Sequence, residues 1–269
     1  MVSLNIFAGT SGWSYDQWAD TFYPHGLRSG QYLKYYSTRY NAVEIDSTFY
    51  RIPEDQTILK WMKSTHENFK FCPKMFRGVT HDLRLENTEK IIDDFIKKIA
   101  LFGKRLGITL VQMPPSLKYK NVKLMKDFIE CLPQGFAFSF EFRDNSWFND
   151  EINSLLSDYG MGIAWSDTPF VNKHYDLTNN LLYLRLVGDR TISQSGFGKT
   201  LIDRNDQIEE WATKIEEVNG RIESAFIFAN NHYEGYAPRS IDLIIQKLGI
   251  SHTDLIDRNT HRDYQGKLF

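Results

Sequence analysis

Cysteine is scarce in this chain of 269 residues: only Cys72 and Cys131 occur, far apart and outside any CxxC or metal-ligand spacing. That excludes a disulfide framework and a thiolate zinc site, and two reduced thiols point to the cytoplasm. Excess charge is also missing, since 32 Lys and Arg face 34 Asp and Glu for a formal net charge of −2. The chain therefore has no global attraction to nucleic acid or to an anionic membrane, and any basic site has to be local. No apolar run approaches the ~20 residues of a membrane helix. MVSLNIFAGTSGW lacks the cationic start of a secretory signal, so a soluble protein without a membrane partner is expected. Repeats, low-complexity tracts and composition breaks are absent as well. Residues 1–269 are expected to form one domain, because α/β barrels of this length are routinely single, with the polar residues 251–269 as a tail free to fray.

What the chain does have is aromatic residues, 14% of the total, arranged with a meaning that is clearest at Gly135–Trp147. There Phe136, Phe138, Phe140 and Phe142 alternate with Ala137, Ser139 and Glu141, the period of a strand with two unlike faces. A row of phenylalanines suits a face packed against helices. Ala, Ser and Glu suit a narrow, partly polar interior, as in a closed parallel barrel, where the residue ending each strand faces the active site. Glu141 holds that position here, with Arg143 just beyond it.

The same alternation recurs along the chain. Strands are expected at 4–8, 41–50, 69–75, 107–113, 162–167, 181–187 and 225–230, mostly alternating with helical stretches that carry apolar residues at helical spacing. Eight strand signals predict an α/β fold, a single (β/α)8 TIM-like barrel. The sixth crossover, 168–180, lacks helical periodicity and is expected to be irregular, and the first, third and seventh βα loops are long. An open doubly wound sheet would not account for inward polar positions on so many strands.

Strand-end positions supply a candidate ring: Glu44, Lys74, Gln112, Glu141, Asp167, Arg185 and Asn230. Barrel enzymes draw their chemistry from the ends of several strands, and this set offers carboxylates, cations and amides. Glu44 and Glu141 are the candidate acid and base. Lys74, Arg77, Arg143 and Arg185 offer more positive charge than a neutral sugar needs, which suits a phosphate or carboxylate. Trp13, Tyr50, His81, Trp147, Asn231 and His232 complete the candidate ligand-binding set, with the aromatic first loop as a roof. A structural salt network filling the barrel mouth is the competing reading of the same ring. The segment Gly196-Phe197-Gly198-Lys199-Thr200 lacks the context of a Walker A loop but, following strand seven, is placed to hold a phosphate. No HxH, HExxH or clustered acid-His spacing appears. No cofactor or resident metal is therefore expected, and magnesium or another divalent ion bridging an anionic ligand stays open.

Several stretches read together carry a resemblance. GTSGW at Gly9 to Trp13, VEIDSTFY at Val43 to Tyr50, FKFCPK followed by Arg77 and THD, QMPPS at Gln112 to Ser116, EFRDNSW at Glu141 to Trp147 and FANNHYEGYAP at Phe228 to Pro238 resemble, in order, the YecE-like family, the TIM-barrel proteins called domain of unknown function 72. The resemblance covers nearly the whole chain and implies the same barrel. One position departs from it: Tyr183, Arg185 and Gly188 fit a Tyr-x-Arg-x-His-Gly pattern, but Val187 stands where His is expected. The family brings no reaction with it. The leading functional reading is a barrel acting by acid-base chemistry on a small anionic polyhydroxylated compound, a sugar phosphate or nucleotide-like molecule. Metal-assisted phosphodiester or nucleic-acid processing and a non-catalytic ligand-binding protein are the alternatives.

Overall fold

Eight parallel strands carry the architecture among the residues that the computed structural model describes, 4–257. They are β1 (Asn5–Thr10), β2 (Ala42–Ile45), β3 (Lys70–Pro73), β4 (Thr109–Gln112), β5 (Phe138–Glu141), β6 (Gly162–Asp167), β7 (Leu181–Leu186) and β8 (Ser224–Ala229). Helices α1 (Tyr32–Tyr36), α2 (Ser47–Tyr50), α3 (Asp55–Lys63), α4 (Glu89–Ile99), α5 (Val122–Glu130), α6 (Asp150–Asp158), α7 (Asn205–Val218), α8 (Ala237–Lys247) and α9 (His252–Asp257) stand between and after them. The chain is an α/β fold whose parallel sheet curls into a half-barrel. Six strands pair in the order β1-β8-β7-β6-β5-β4, while β2 and β3 pair with each other. Between β6 and β7 the chain forms no helix over 168–180.

The two sheets meet at two seams. At the first, side chains of the β2 side replace ladder bonds: Asn41 Oδ1 accepts from Ala8 N and Asn41 Nδ2 donates to Ile6 O, both at 2.8 Å. Tyr36 OH accepts from Thr10 N at 2.7 Å and donates to Ala42 O at 3.2 Å. Gly9 is required there, since a Cβ on it would lie 2.0 Å from Ala42 O. Above this point Gly12 N donates directly to Glu44 O at 2.8 Å. At the second seam Gly107 N donates to Phe71 O and Met75 N to Leu110 O, each at 2.8 Å.

Phe138, Phe140 and Phe142 lie in the large apolar core beneath the helices, as their alternation requires. A smaller apolar cluster fills the inner face, with Phe7, Ala42, Cys72, Leu110, Ala164, Tyr183, Phe226 and Phe228 drawn from seven of the strands. Ser139 and Glu141 share that inner face with it.

Three expectations need correction. The second strand was expected to run to Tyr50, but it ends at Ile45, and Ser47–Tyr50 turn into α2. Asp, Ser and Thr favour helix starts, and Thr48 Oγ1 donates to Ile45 O at 2.7 Å, ending the strand. His81 lies on a π-helical turn, Gly78–Asp82, rather than in an open loop. The segment expected to fray begins instead with α9, whose Leu255 is buried and accepts from Asn41 Nδ2 at 3.0 Å. The remainder of that segment, 258–269, lies outside the described residues.

Candidate functional site

Glu44 ends the inner row of β2 and is fully buried, so its charge must be met by neighbours. Arg185, two residues beyond Tyr183 on the inner row of β7, meets it through two bonds, Nε to Oε2 at 2.8 Å and Nη2 to Oε1 at 2.7 Å. Ser11 Oγ and Tyr183 OH donate to the remaining lone pairs at 2.6 and 2.8 Å. Arg185 also reaches the other way, with Nη1 2.6 Å from Glu141 Oε2. Glu141 is completed by Ser166 Oγ at 2.7 Å and Arg143 Nη2 at 2.9 Å on Oε1. A guanidinium thus spans the inner face and locks two carboxylates from strands on opposite sides of it.

These contacts set the protonation states. Burial alone would raise both carboxyls, but the guanidiniums outweigh it. Arg185 above all holds Glu44 below its ordinary range. Arg143 and then Arg185 bring Glu141 down to about 2. Arg185 is itself held well above its ordinary value: burial opposes its charge, but Glu141 and Glu44 prevail.

Lys74 and Asp46 sit at the next step of the rim and are less well satisfied. Lys74 Nζ lies 3.8 Å from Asp46 Oδ1 and 4.3 Å from the centroid of the Phe49 ring. Asp46 Oδ1 is buried without a hydrogen-bond partner, and Arg185 Nη2 stops 4.0 Å away. Burial raises the Asp46 carboxyl, reinforced by Glu44 and only partly offset by Lys74. Burial lowers the Lys74 ammonium, with Asp46 opposing and Arg185 adding to the effect. Gln112 Oε1 and Arg143 Nε are likewise buried and unpartnered. Arg143 is otherwise anchored to Thr168 Oγ1 at 3.1 Å and stacked over Phe170.

His81 joins the edge of this group. Its ring stands edge-on to Phe49, 4.9 Å between centroids, and Nδ1 lies 2.8 Å from Thr80 Oγ1. Burial first, and then Lys74 and Arg77, push it down to about 4. Arg77 itself is exposed and pairs with Asp82 at 3.0 Å.

Other sequence-nominated residues lie elsewhere. Asp167 faces the helices, accepting from Trp211 Nε1 of α7 at 2.8 Å and from Tyr233 OH at 2.9 Å. The inner residue of β6 is Ser166, one position earlier. Trp147 is fully buried on the outer side, stacked on Phe142 at 5.1 Å with Nε1 donating to Leu117 O. Trp13 packs edge-on against Trp61, and Tyr50 is 69% exposed. Asn230 Oδ1 accepts from His232 N, shaping the turn after β8. Asn231 Oδ1 is taken by Trp18 Nε1 and Ala237 N, both at 3.1 Å. His232 stands edge-on to Phe197, and burial lowers its pKa. Three amides of the 196–200 loop are bonded to backbone carbonyls, Gly196 N to Ser193 O, Phe197 N to Gln194 O and Gly198 N to Gly235 O. Val187 is buried, its N–H donating to Asp167 O at 3.0 Å, and a Cβ on Gly188 beside it would meet His232 O at 2.2 Å.

Two members of the cluster were not among the nominated residues. Asp46 shares the face of Glu44 by alternation and was legible on that ground. Ser11 carried no signal, because its role depends on the seam with β2. Among the described residues no three His, Cys, Asp or Glu side chains are grouped so as to hold a metal ion, and no helix is long and apolar enough to cross a membrane.

The family described as "Protein of unknown function DUF72" matches residues 7–265. The chain belongs to this DUF72 family. It is 25% identical to UPF0759 protein YunF of Bacillus subtilis, over 94% of this chain and 98% of that protein. It is also 25% identical to UPF0759 protein YecE of Escherichia coli K12, over 53% of this chain and 50% of that protein. Among solved structures, a DUF72 family protein from Thermotoga maritima is similar with a TM-score of 0.77 and 25% identity, covering 91% of this chain and 99% of that one. One from Enterococcus faecalis shares the fold at a TM-score of 0.75 and 20% identity, covering 93% and 100%.

The perturbed groups of this cluster, with His174 packed on Phe148 at 4.1 Å, predict a pH dependence. A group whose pKa falls on folding contributes stability above its unfolded value and loses it as pH drops through the folded one. His81 and His174 are both brought from an ordinary 6.5 to about 4, mainly by burial, and Glu141 from 4.5 to about 2. Asp46, raised by burial, acts in the opposite sense, but the three lowered groups together outweigh it. The urea midpoint should therefore fall as pH drops from 6.5 to 4, and fall further below 4.5 as Glu141 begins to protonate. A midpoint constant from pH 7 to 3 would contradict this.

Proposed function

We propose that the rim binds a small anionic polyhydroxylated compound, of the sugar-phosphate or nucleotide-like class, at the open end of a closed eight-stranded barrel in a cytoplasmic protein. The observation that carries this reading is a set of unfilled hydrogen-bonding positions at the ends of β2, β3, β4 and β5. Asp46 Oδ1 and Gln112 Oε1 are acceptors without donors. Arg143 Nε is a donor without an acceptor, and Lys74 Nζ makes no hydrogen bond, with Asp46 at 3.8 Å and the Phe49 ring at 4.3 Å. An unmade bond at a buried polar atom costs roughly 1–3 kcal/mol, so a ligand that makes all of them gains affinity and specificity together. In this assignment Lys74 and Arg143 take the anionic group, while Asp46 and Gln112 take hydroxyls. Closure of the barrel is supported by the parallel bridges Ser11 to Glu44 and Lys74 to Leu110, which join the two sheets at the rim.

The roles of the ring follow from its bonding. Glu44 and Glu141, both saturated, fix Arg185 in place. Acid-base work passes from them to Asp46, whose carboxyl burial raises and whose Oδ1 has no hydrogen-bond partner. Lys74 and Arg143 supply the positive charge, so the reading requires no metal. A non-catalytic ligand-binding protein is the second reading. The balance of Glu44, Asp46 and Glu141 against Lys74, Arg143 and Arg185 favours it, because such a set satisfies its charges without turnover.

A thermal-shift panel of sugar phosphates, nucleotides, inorganic phosphate and oligonucleotides tests the binding claim. A polyhydroxylated phosphate at about 100 times its Kd should stabilise the parent by about 2.7 kcal/mol, and Lys74→Met should abolish the shift. No shift with any small anion at millimolar concentration would contradict the claim. A shift confined to oligonucleotides and erased by salt would move the site to phosphodiester chemistry.

A further inference from the structure

We propose that Lys74 is a nucleophilic amine, and that the rim takes the carbonyl form of its ligand, a small aldehyde or ketone bearing an anionic group, and holds it as a Schiff base. This rests on the reading of the rim as a ligand site and names the substrate class.

The environment of Lys74 Nζ is the first support. The side chain is 8% exposed, yet its nitrogen closes no hydrogen bond and stands 3.8 Å from the nearest carboxylate. Pairs as loose occur elsewhere, Lys118 with Asp144 at 3.6 Å and Lys126 with Glu130 at 3.9 Å, but those lysines lie in solvent, where water fills their donors. Lys74, far less exposed, has the Asp46 carboxylate at 3.8 Å and the face of Phe49 at 4.3 Å but no hydrogen bond from the protein. A largely buried ammonium without a protein acceptor costs more than a neutral amine in the same place. The second support is the company of cations. Arg185 approaches the same Asp46 oxygen at 4.0 Å, and both Arg185 and burial disfavour the ammonium. A desolvated lysine beside another cation is the usual arrangement of an imine-forming amine.

Asp46 supplies the proton accounting. Its Oδ1 has no hydrogen-bond partner and lies 3.8 Å from Nζ. The lone pair of the neutral amine attacks the carbonyl carbon, the C=O π bond opens, and one N–H proton passes to the oxygen, giving a carbinolamine. Protonated Asp46 then donates to the hydroxyl, the C–O bond breaks, and water leaves. The products are an iminium cation on Lys74, an Asp46 carboxylate beside it, and one water. Charge balances, since a neutral acid and a neutral amine become an ion pair, and no oxidant, reductant or metal takes part. Lys74 gives up the anion contact assigned to it above when it reacts, and Arg143 Nε and Gln112 Oε1 remain for the anionic group and a hydroxyl.

Borohydride reduction tests this directly. The parent protein is incubated with dihydroxyacetone phosphate, glyceraldehyde phosphate or pyruvate, reduced, and mapped by peptide mass spectrometry. One adduct on the Lys74 peptide is expected with at least one probe, in at least tenfold excess over any surface lysine. Asp46→Asn should lower its yield at least tenfold while its circular dichroism stays that of the parent. Adducts spread evenly over exposed lysines, or none at Lys74, would overturn the proposal. Glycerol phosphate, which has no carbonyl, separates this from the binding reading. A thermal shift with it and no Lys74 adduct overturns the Schiff base alone, and neither shift nor adduct overturns both.

Discussion

Replacing Arg185 with methionine is expected to cost at least about 3–5 kcal/mol of stability, the loss that follows when one partner of a buried ion pair is removed. The side chain meets Glu44 through two bonds and Glu141 through a third, and both carboxylates are completely buried. Methionine fills much of the volume and none of the charge. Since whole domains are stable by only about 5–15 kcal/mol, the variant should stand near its folding threshold at neutral pH. The pH response identifies the cause. Without the guanidinium, burial dominates at Glu44, which then titrates above its unfolded value, while Glu141 keeps Arg143. The Glu44 contribution is then present at low pH and lost as pH rises, opposite in sign to that of Glu141 in the parent. Urea unfolding at pH 7 and pH 5 should show a smaller deficit at pH 5. Arg77→Met, at an exposed pair with Asp82, is the control and should stay within about 1 kcal/mol.

Trp18→Ala is the second large effect, expected at about 3–5 kcal/mol for emptying a buried tryptophan site. Trp18 is fully buried, and its ring lies against Tyr15 at 4.6 Å and Phe22 at 5.5 Å, while Nε1 donates to Asn231. Tyr23, stacked on Tyr32 at 3.9 Å with its hydroxyl on Trp13 O, continues the layer. The first loop is therefore a plug of core joined to the turn after β8. A tryptophan acting only as a roof over ligand would lose ligand affinity on truncation and little stability, the reverse of the expected result. Urea midpoints of the variant and parent decide between them.

How much of this could be read from the sequence depended on whether a side chain's place followed from its own strand. The alternation of Phe138, Phe140 and Phe142 with Ser139 and Glu141 fixed the faces of β5, and Tyr183 and Arg185 did the same for β7. Position at a strand end alone misled at Asp167, which was nominated for the ring, whereas Ala164 and Ser166 alternate inward against Ile163 and Trp165. Trp147 was misplaced for a related reason, since the 3-10 turn Asn145–Trp147 carries it back over Phe142 on the outer face. The end of β2 was hidden by its sequence, because VEIDSTFY alternates like a strand while Asp46, Ser47 and Thr48 have the chemistry of a helix start. That boundary mattered for function. Once the chain turns at Asp46, Tyr50 leaves the rim, and Asp46 joins Lys74 as the least satisfied pair in it. The surplus of positive charge inferred from four basic residues also shrank, because Arg77 pairs outside with Asp82 and Asp46 adds a carboxylate within.

The central claim is that Asp46, Lys74, Gln112 and Arg143 form one ligand site, and a crystal structure of the protein grown with glycerol phosphate tests it most directly. The account predicts the phosphate on Lys74 Nζ and Arg143 Nε with a hydroxyl on Asp46 Oδ1. Ordered waters alone bridging these four groups, with the compound bound elsewhere or absent at saturating concentration, would contradict it.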